Sequence, residues 1–408
     1  MAKPNVLFLV IDSLRADALF DDRVPTPNFD ALRSRGASFT QCICTATTTT
    51  PSFSSILTGC YPPKHGVRGL QGYTLPTSLP TIAEVFKQAG YNTYAEVTGP
   101  LLPATGVLRG FDEHRHRPGY GVPFFGWRDE VLSQMRSYAD PWFMLLHVWE
   151  VHRPYRSPPR FEKRNDKEGY ERALSATDES LVPILEAAGN AVFVVTGDHG
   201  EDYATSRAEE VVLAVARRAR RYLNLKKWLP PLDRAIAAAE IGHGFALYEH
   251  LIRVPLVLAG PGVRQTEIGQ QVRHVDLLPT LADLCDLPIP DDADGRSLRP
   301  LMEGAPLEED PAYMEAVGVK LGGDRLVGAR IPGWKLLRRN NADPQLVRLD
   351  ATDKKAEKRN VIAEHPDVAS ELDAYITRMQ AYERGTGSGM SSEEEAVVEQ
   401  HLRDLGYL

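Results

Sequence analysis

The sequence contains few cysteines and no long apolar run. Only four cysteines occur among its 408 residues: Cys42, Cys44, Cys60 and Cys285. Because they form no Cys-x-x-Cys pair and no paired His spacing accompanies them, a zinc finger is excluded and buried, reduced thiols are expected. No apolar run approaches the ~20 residues that span a bilayer, and the run Val6–Ile11 is too short for a signal peptide. These absences predict a cytoplasmic protein without a transmembrane segment.

A large excess of charge of one sign is absent as well. The chain carries 47 Lys and Arg against 55 Asp and Glu, a formal net charge of −8. This balance gives no general attraction to nucleic acid polymers or anionic lipid, so an anionic partner must be bound by a local site. With 43% hydrophobic and 25% charged residues, the composition excludes disorder, collagen and coiled coil and is that of a globular protein.

Short apolar runs that end at polar residues recur along the chain and predict buried strands. The runs lie at 6–11, 142–146, 191–196 and 254–258. Helical patterns separate them, including 79–89 and 171–188. This alternation predicts an α/β fold with a mostly parallel central sheet and helices on both faces. We expect a catalytic domain over residues 1–305. Short strand patterns from about residue 306 predict a small C-terminal antiparallel α+β subdomain with terminal helices, 306–408.

A helical stretch rich in Arg and Lys, at about 203–240, interrupts the pattern. It either contacts a membrane surface peripherally, covers an anionic substrate, or packs on the body or on another subunit. A homo-oligomer is expected, with this insert and the terminal helix as contact surfaces.

Asp or His residues stand where three of the predicted strands end. Asp12 follows the first strand, His147 the second, and the pair Asp198–His199 the third. Ligands of open α/β sheets bind at the carboxyl ends of the strands. One such residue alone would more often cap a turn, but three together predict a functional site.

Segment 47–66 contains a dense motif. It reads Thr49-x-Pro-Ser, then Leu-Thr-Gly, Tyr-Pro and His-Gly. Together with Asp12 and Asp198–His199, it resembles the nucleophile region of the alkaline phosphatase/sulfatase superfamily. The frame places Thr49 at the nucleophile position, with Thr48 and Thr50 one residue away. Further ordered matches, among them Gly-His243-Gly, extend the resemblance over nearly the whole chain, and His65 falls in a turn that the family uses structurally.

Two departures from the family pattern bear on the reaction. Formylglycine sulfatases need Cys or Ser at position 49 and Arg four residues later, where this chain has Thr49 and Phe53. Their sulfate-holding Lys-Trp-His is replaced by residues 97–101. The resemblance therefore implies a metal-dependent hydrolase of small anionic phosphate or phosphonate esters, diesters first, that forms a covalent phospho-threonine. The alternatives are a sulfate-ester hydrolase without formylglycine, a phospho-head-group transferase and a metal-binding pseudoenzyme.

The resemblance implies four metal ligands, Asp12, Thr49, Asp198 and His199. A threonine hydroxyl is a poor nucleophile until a cation helps to remove its proton. An imidazole in the ligand set favours Zn²⁺, then Mn²⁺, over Ca²⁺. Calcium-binding relatives carry a second Asp where this chain has Ser13, which also favours Zn²⁺ or Mn²⁺ over Ca²⁺.

His152 and His243 match positions that either hold the substrate's non-bridging oxygens or bind a second metal. Two-metal relatives carry an Asp four residues before the first His, where this chain has Val148. His147 and Glu150 are the nearby substitutes. One ion with two substrate-binding histidines is therefore favoured over two ions.

Two further residues are candidates near this site. Arg15 could pair with Asp12 or with the substrate, or could simply be solvated. Glu201 is expected to orient His199, because a metal-bound imidazole usually donates its other N–H to a carboxylate or a carbonyl.

Overall fold

The computed structural model describes most of the chain. The described residues are 3–21, 23–118, 122–158, 166–204, 243–317, 325–340, 342–349, 356–382 and 390–404, with isolated positions between 205 and 242. The predicted basic insert at 203–240 therefore lies almost wholly outside the described residues. Within them, no helix has the length and apolar character needed to cross a membrane.

In the described part of the chain, nine strands form a central sheet. They are β1 Val6–Ile11, β2 Gly36–Ile43, β3 Asn92–Val97, β4 Glu113–His116, β5 Trp142–Val148, β6 Val192–Gly197, β7 Arg253–Ala259, β8 Thr266–Ile268 and β9 Val272–Arg273. Their order is β4-β3-β5-β1-β6-β7-β2-β8, and β9 pairs with β2. Every pair is parallel except the two made by β7. The predicted mostly parallel sheet is confirmed. The direction of β7 escaped prediction because a strand buried on both faces has the same apolar run in either direction.

Helices cover both faces of this sheet. In the described residues they are α1 Ala16–Phe20, α2 Pro27–Arg33, α3 Thr49–Thr58, α4 Pro62–His65, α5 Ile82–Gln88, α6 Phe124–Met135, α7 Asp166–Ala188, α8 Glu249–Ile252, α9 Leu277–Leu284, α10 Arg299–Met302, α11 Pro366–Gln380 and α12 Ser392–Asp404. Alternate β1 side chains enter two cores: Phe8 packs with α3, α5 and α9, whereas Leu9 packs with α2, α6 and α7. Burial on both faces explains why β1 is apolar throughout.

A second sheet follows towards the C-terminus, and its four strands are antiparallel neighbours. They are β10 Ala312–Ala316, β11 Leu326–Ile331, β12 Trp334–Arg339 and β13 Gln345–Arg348. Helix α11 packs on this sheet through Leu372 and Ile376. The buried Lys335 of β12 binds Glu357 at 2.6 Å and Glu249 of α8 at 3.2 Å, which ties the second sheet to the first. The predicted antiparallel subdomain is confirmed as a sheet.

The terminal helix α12 returns to the central sheet. Val398 and Leu402 share a small core with Trp149, and His401 Nε2 lies 2.8 Å from the Gly99 carbonyl oxygen. The Trp149 ring in turn stacks on His152, with ring centroids 5.8 Å apart.

Helix α4 holds a histidine whose packing fixes its protonation state. The Val67 N–H donates to His65 Nδ1 at 3.1 Å, so the other nitrogen, Nε2, carries the proton and donates to Ser55 Oγ at 3.0 Å. Burial lowers the pKa of His65 to about 3 from 6.5. The structure thus gives His65 the structural position that the turn motif implies.

The unfolded chain binds a proton at His65 below about pH 6.5 whereas the folded chain does not, so stability falls as pH drops from 6.5 towards 3. We expect the step from pH 7 to pH 5 to cost about 2 kcal/mol through this residue. Urea unfolding of wild type and His65→Gln at both pH values measures it. The exposed His114→Gln is the control, and an equal pH slope in wild type and His65→Gln would contradict the expectation.

Candidate active site

Two buried carboxylates meet where β1 and β6 end. Ile11 pairs with Gly197 in the sheet, which brings Asp12 beside Asp198, and both are fully buried. Ser13 joins them, because its N–H donates to Asp198 Oδ1 at 3.0 Å and its hydroxyl to Asp12 Oδ1 at 2.9 Å. Its backbone is left-handed, with φ 64°, an unfavourable conformation that these bonds hold. Ser13 therefore positions both carboxylates.

His199 directs an unprotonated nitrogen at these carboxylates. Its Nδ1 lies 2.9 Å from the Gly200 carbonyl oxygen, which can only accept, so Nδ1 carries the proton. Its Nε2 then has only a lone pair, and it faces Asp198 Oδ2 at 3.3 Å and Asp12 Oδ1 at 4.0 Å. Among the described residues neither His199 Nε2 nor Asp198 Oδ2 has a hydrogen-bond partner. Two acceptors that face each other in a buried site are unfavourable unless a proton or a cation lies between them.

The donor set of Asp12, Asp198 and His199 suits a divalent cation. One ligand atom from each lies within 4.8 Å of the others. Burial, opposed by the N–H groups of Ser13 and His199, raises the pKa of Asp198 to about 7, and burial together with the nearby His243 lowers the pKa of His199 to about 3. A bound cation would favour the carboxylate and the neutral imidazole, the forms that serve as ligands.

Thr49 is the first residue of α3, next to these donors. Its hydroxyl is within hydrogen-bonding distance of Asp12 Oδ2, at 3.4 Å, and the residue is 1% exposed. The helix N-terminus favours negative charge there. Ser52, one turn on, donates to the Asp198 carbonyl oxygen at 2.6 Å. This bond fixes α3 against the loop that carries Asp198 and His199. In the sequence, only the Pro-Ser of the motif pointed to this role of Ser52.

His243 and His152 lie beside this centre. The ring centroids of His199 and His243 are 4.2 Å apart, and those of His243 and His152 are 4.9 Å apart. Glu201 Oε1 lies 3.5 Å from His243 Nδ1. Burial opposes the charged form of His243, but Glu201 outweighs it and raises the pKa of this histidine. The expected Glu201–His199 pair is therefore wrong, because His199 donates its Nδ1 hydrogen bond to the Gly200 carbonyl oxygen and Glu201 pairs with His243.

The two candidates near β5, Glu150 and His147, have different roles in the structure. Glu150 lies away from the carboxylates and accepts from Arg117 at 2.8 and 3.1 Å and from the N–H groups of Phe124 and Trp149. With its oxygens engaged in this way, Glu150 is structural and is not a metal ligand. His147, which lies inside β5, does reach the site, with Nε2 3.7 Å from Asp12 Oδ2.

Arg15 also differs from the expectation. Its guanidinium pairs with Asp17 at 2.6 Å and donates to the Glu201 carbonyl oxygen at 3.1 Å instead of binding Asp12. Tyr170, for which the sequence pattern held no signal, accepts from the Arg15 N–H and donates to the Ser13 carbonyl oxygen, both at 2.9 Å. Both residues support the loop that carries Ser13.

Glu150→Gln is expected to destabilise the fold by about 3–5 kcal/mol, because it leaves the buried Arg117 without a counter-charge. Bound metal should stay unchanged. Chemical unfolding and elemental analysis measure the two quantities. Glu113→Gln, which removes an exposed partner of Arg115, is the control and should change stability by less than about 0.5 kcal/mol. Loss of an ion at normal stability would instead make Glu150 a ligand.

Comparisons with known proteins identify the family of this chain. The sulfatase family model matches residues 4–287, and the model of the N-sulphoglucosamine sulphohydrolase C-terminal region matches residues 244–381. An ulvan-active sulfatase of Formosa agariphila is 24% identical over 372 residues, covering 76% of this chain and 66% of that protein. A second ulvan-active sulfatase of this organism is covered over 59% of its length, so the chain spans about three fifths to two thirds of these relatives.

Two solved structures show the same fold. A 2-O GAG sulfatase superposes with a TM-score of 0.72 at 18% identity, covering 96% of each chain. The phosphonate monoester hydrolase of Silicibacter pomeroyi superposes with a TM-score of 0.70 at 19% identity, covering 94% of this chain and 96% of that one. Because the sulfatase family model matches residues 4–287 of the 408, the chain belongs to the sulfatase family, within the alkaline phosphatase/sulfatase superfamily.

Proposed function

We propose that this protein hydrolyses a sulfate ester, with Thr49 as the nucleophile and one divalent cation held by Asp12, Asp198 and His199. The observation that carries the proposal is the Thr49 hydroxyl, 3.4 Å from Asp12 and at the N-terminus of α3, beside donors that face one another without a proton. The curated relatives are named as sulfatases, among them an N-acetylgalactosamine-6-O-sulfatase. They favour sulfate over the phosphoric esters that the sequence departures favour, and a sulfated sugar as the substrate class.

The charges around the site support an ester with a single negative charge. Arg15 and Arg117 are each paired with a carboxylate, so the bound cation would supply the positive charge, and the imidazoles of His152 and His243 would donate hydrogen bonds to the ester. A sulfate monoester carries one negative charge, whereas a phosphate monoester carries nearly two at neutral pH. We therefore expect phosphate monoesters to be the poorest substrates.

The reaction follows from these positions. A bound Zn²⁺, or Mn²⁺ as the second choice, supplies Lewis acidity that favours the Thr49 alkoxide and withdraws charge from the ester. Thr49 donates its proton towards Asp12 Oδ2 and forms a bond from Oγ1 to sulfur, while the bond from sulfur to the alcohol oxygen breaks. The electron pair of that bond stays on the alcohol oxygen, which takes a proton from water. His152 and His243 hold the non-bridging oxygens. Water then attacks sulfur as the bond from sulfur to Thr49 Oγ1 breaks. Oγ1 regains the proton held at Asp12, and the sulfate leaves and gives up the protons of the attacking water to solvent.

A second candidate is hydrolysis of a phosphonate monoester or a phosphate diester. It is favoured because Thr49 stands where formylglycine sulfatases need Cys or Ser. A threonine cannot be oxidised to the formylglycine aldehyde, so water must open the covalent intermediate at its central atom. Both alternative substrates carry one negative charge and meet the same charge requirement. If an alcohol replaced water, the same site would act as a transferase.

Turnover of four chromogenic esters distinguishes these functions: p-nitrophenyl sulfate, bis-p-nitrophenyl phosphate, p-nitrophenyl phenylphosphonate and p-nitrophenyl phosphate. We expect the sulfate to have the highest kcat/KM, with activity that is lost on chelation and restored by Zn²⁺. A preference for the diester or the phosphonate would select the second candidate. Metal binding with no turnover of any ester, or of a sulfated sugar, would indicate a pseudoenzyme.

A further inference from the structure

Two serines on α3 are each hydrogen-bonded to a buried histidine. The Ser55 hydroxyl lies 3.0 Å from His65 Nε2, and the Ser52 hydroxyl lies 3.2 Å from His274 Nδ1. The second pair also reaches the site, because the Ser52 hydroxyl donates to the Asp198 carbonyl oxygen at 2.6 Å. His274 is therefore linked to a candidate metal ligand, although it lies outside the set of residues that the sequence motif brings together.

The directions of these hydrogen bonds follow from the chemistry of their partners. A carbonyl oxygen only accepts, so the single hydrogen of the Ser52 hydroxyl points to Asp198. The Ser52 oxygen is left to accept, and His274 Nδ1 therefore carries a proton and donates it. The bonds form a chain from the imidazole through the hydroxyl to the backbone of Asp198. Each bond in such a chain polarises the next.

The turn that carries His274 is fixed from several sides. The residue is fully buried in a short 3-10 turn between β9 and α9. Asp276 closes this turn, and its carboxylate accepts from the Arg273 N–H at 2.8 Å, the Arg273 guanidinium at 2.7 Å and the Arg296 N–H at 3.0 Å. An imidazole on so firm a base holds Ser52 in place instead of following it.

The position of Ser52 bears directly on the nucleophile. Ser52 lies three residues after Thr49, on the same face of the first turn of α3. The Thr49 hydroxyl lies 3.4 Å from Asp12 Oδ2, so a tilt of this turn would move the hydroxyl away from the carboxylates. A misplacement of about 1 Å at a reacting group can lower a rate about 10²-fold.

We propose that His274 is a positioning residue for the nucleophile. Through Ser52 it fixes the first turn of α3 against the loop of Asp198, and so sets the place of the Thr49 hydroxyl beside the bound ion. This inference rests on the proposed function for the identity of the nucleophile. It adds a buried residue that touches neither the ester nor the ion.

Matched replacements of the two histidines separate positioning from packing. His274→Leu removes the donor at similar volume and is expected to lower kcat about 10-fold to 100-fold, with KM changed by less than about twofold, because the groups that bind the ester stay in place. His274→Asn puts an amide N–H near the position of Nδ1 and should restore kcat to within about threefold of wild type. The control His65→Leu removes the imidazole of the other pair on the same helix and should change stability only.

Two further measurements test whether His274 acts through Ser52 on Thr49. In Ser52→Ala protein, adding His274→Leu should cause no further loss of kcat. In the Co²⁺-loaded protein, His274→Leu should change the visible absorption in the same direction as Thr49→Ala, since both take the hydroxyl from its place beside the ion. His65→Leu should keep the wild-type spectrum. If His274→Leu does not fold, His274→Gln replaces it, because its amide N–H corresponds to Nε2 and not to Nδ1.

Three outcomes would overturn the proposal. They are a wild-type kcat and spectrum in His274→Leu, an equal loss of kcat in His65→Leu, and the absence of rescue by His274→Asn. Wild type that binds Co²⁺ but turns over no ester would remove the proposed function, and the Co²⁺ spectra would still decide the role of His274. Wild type that neither binds Co²⁺ nor turns over an ester would remove both.

Discussion

Thr49→Ala is expected to lower kcat by at least about 10³-fold while the protein keeps its metal and its fold, since in the proposed mechanism this hydroxyl forms the covalent bond to sulfur. Thr49→Ser keeps a hydroxyl on the first residue of α3 and should retain turnover within about 10²-fold of wild type. Steady-state rates on the best ester, with metal content and thermal unfolding as checks, measure both changes.

The matched controls are the neighbouring threonines. Thr50 carries a buried hydroxyl without a hydrogen-bond partner among the described residues, so Thr50→Val removes only that group. Thr48→Ala changes the residue before α3. Both variants should stay within about tenfold of wild type. If either lost as much activity as Thr49→Ala, the nucleophile would be the neighbour, and the frame that places Thr49 would be wrong.

We expect Asp198→Asn to be more stable than wild type without metal and less stable than wild type with metal. The asparagine oxygen can still accept from the N–H groups of Ser13 and His199, while its amide nitrogen can donate to His199 Nε2, which Asp198 Oδ2 faces at 3.3 Å. In chelator the variant should be more stable than wild type by about 1–3 kcal/mol, because an uncompensated buried contact becomes a hydrogen bond. With Zn²⁺ it should be less stable, because its site binds the ion weakly.

The same variant should lose at least about 10³-fold in kcat, since the ion that favours the alkoxide is no longer held. Urea unfolding with and without chelator measures the reversal, and it is independent of any substrate. Asp178→Asn, at a buried carboxylate near α2, changes charge away from the site and should show the same order in both conditions. Identical ordering for Asp198→Asn in zinc and in chelator would argue against Asp198 as a ligand.

Much of the fold and the centre of the site could be predicted because they depend on short-range patterns. The apolar runs of β1, β5 and β6 fix strands that are buried on both faces, and parallel neighbours bring Asp12, His147 and Asp198 to one edge. Motif spacing added Thr49. These are the features in which neighbours in the sequence decide the outcome.

The corrections involve residues whose partners the sequence does not reveal. Glu150 was predicted as a ligand because of its position before His152, but its carboxylate pairs with Arg117, 33 residues away. Glu201 does not pair with His199, because His199 donates to the Gly200 carbonyl oxygen. Glu201 pairs instead with His243, which lies far along the chain. Buried charges choose partners in three dimensions, so their roles required the structure. The homo-oligomer and the location in the cell stay predictions.

Helix α12 lies beyond residue 381, where the matched family regions end, yet it packs on Trp149, which stacks on His152. It contributes none of the donor atoms around Asp12. Under the proposed function, mutations confined to this helix would change how His152 is held against the ester and would leave the metal ligands in place. In the laboratory the same connection makes the C-terminal end a poor place to trim the chain or to attach a bulky fusion.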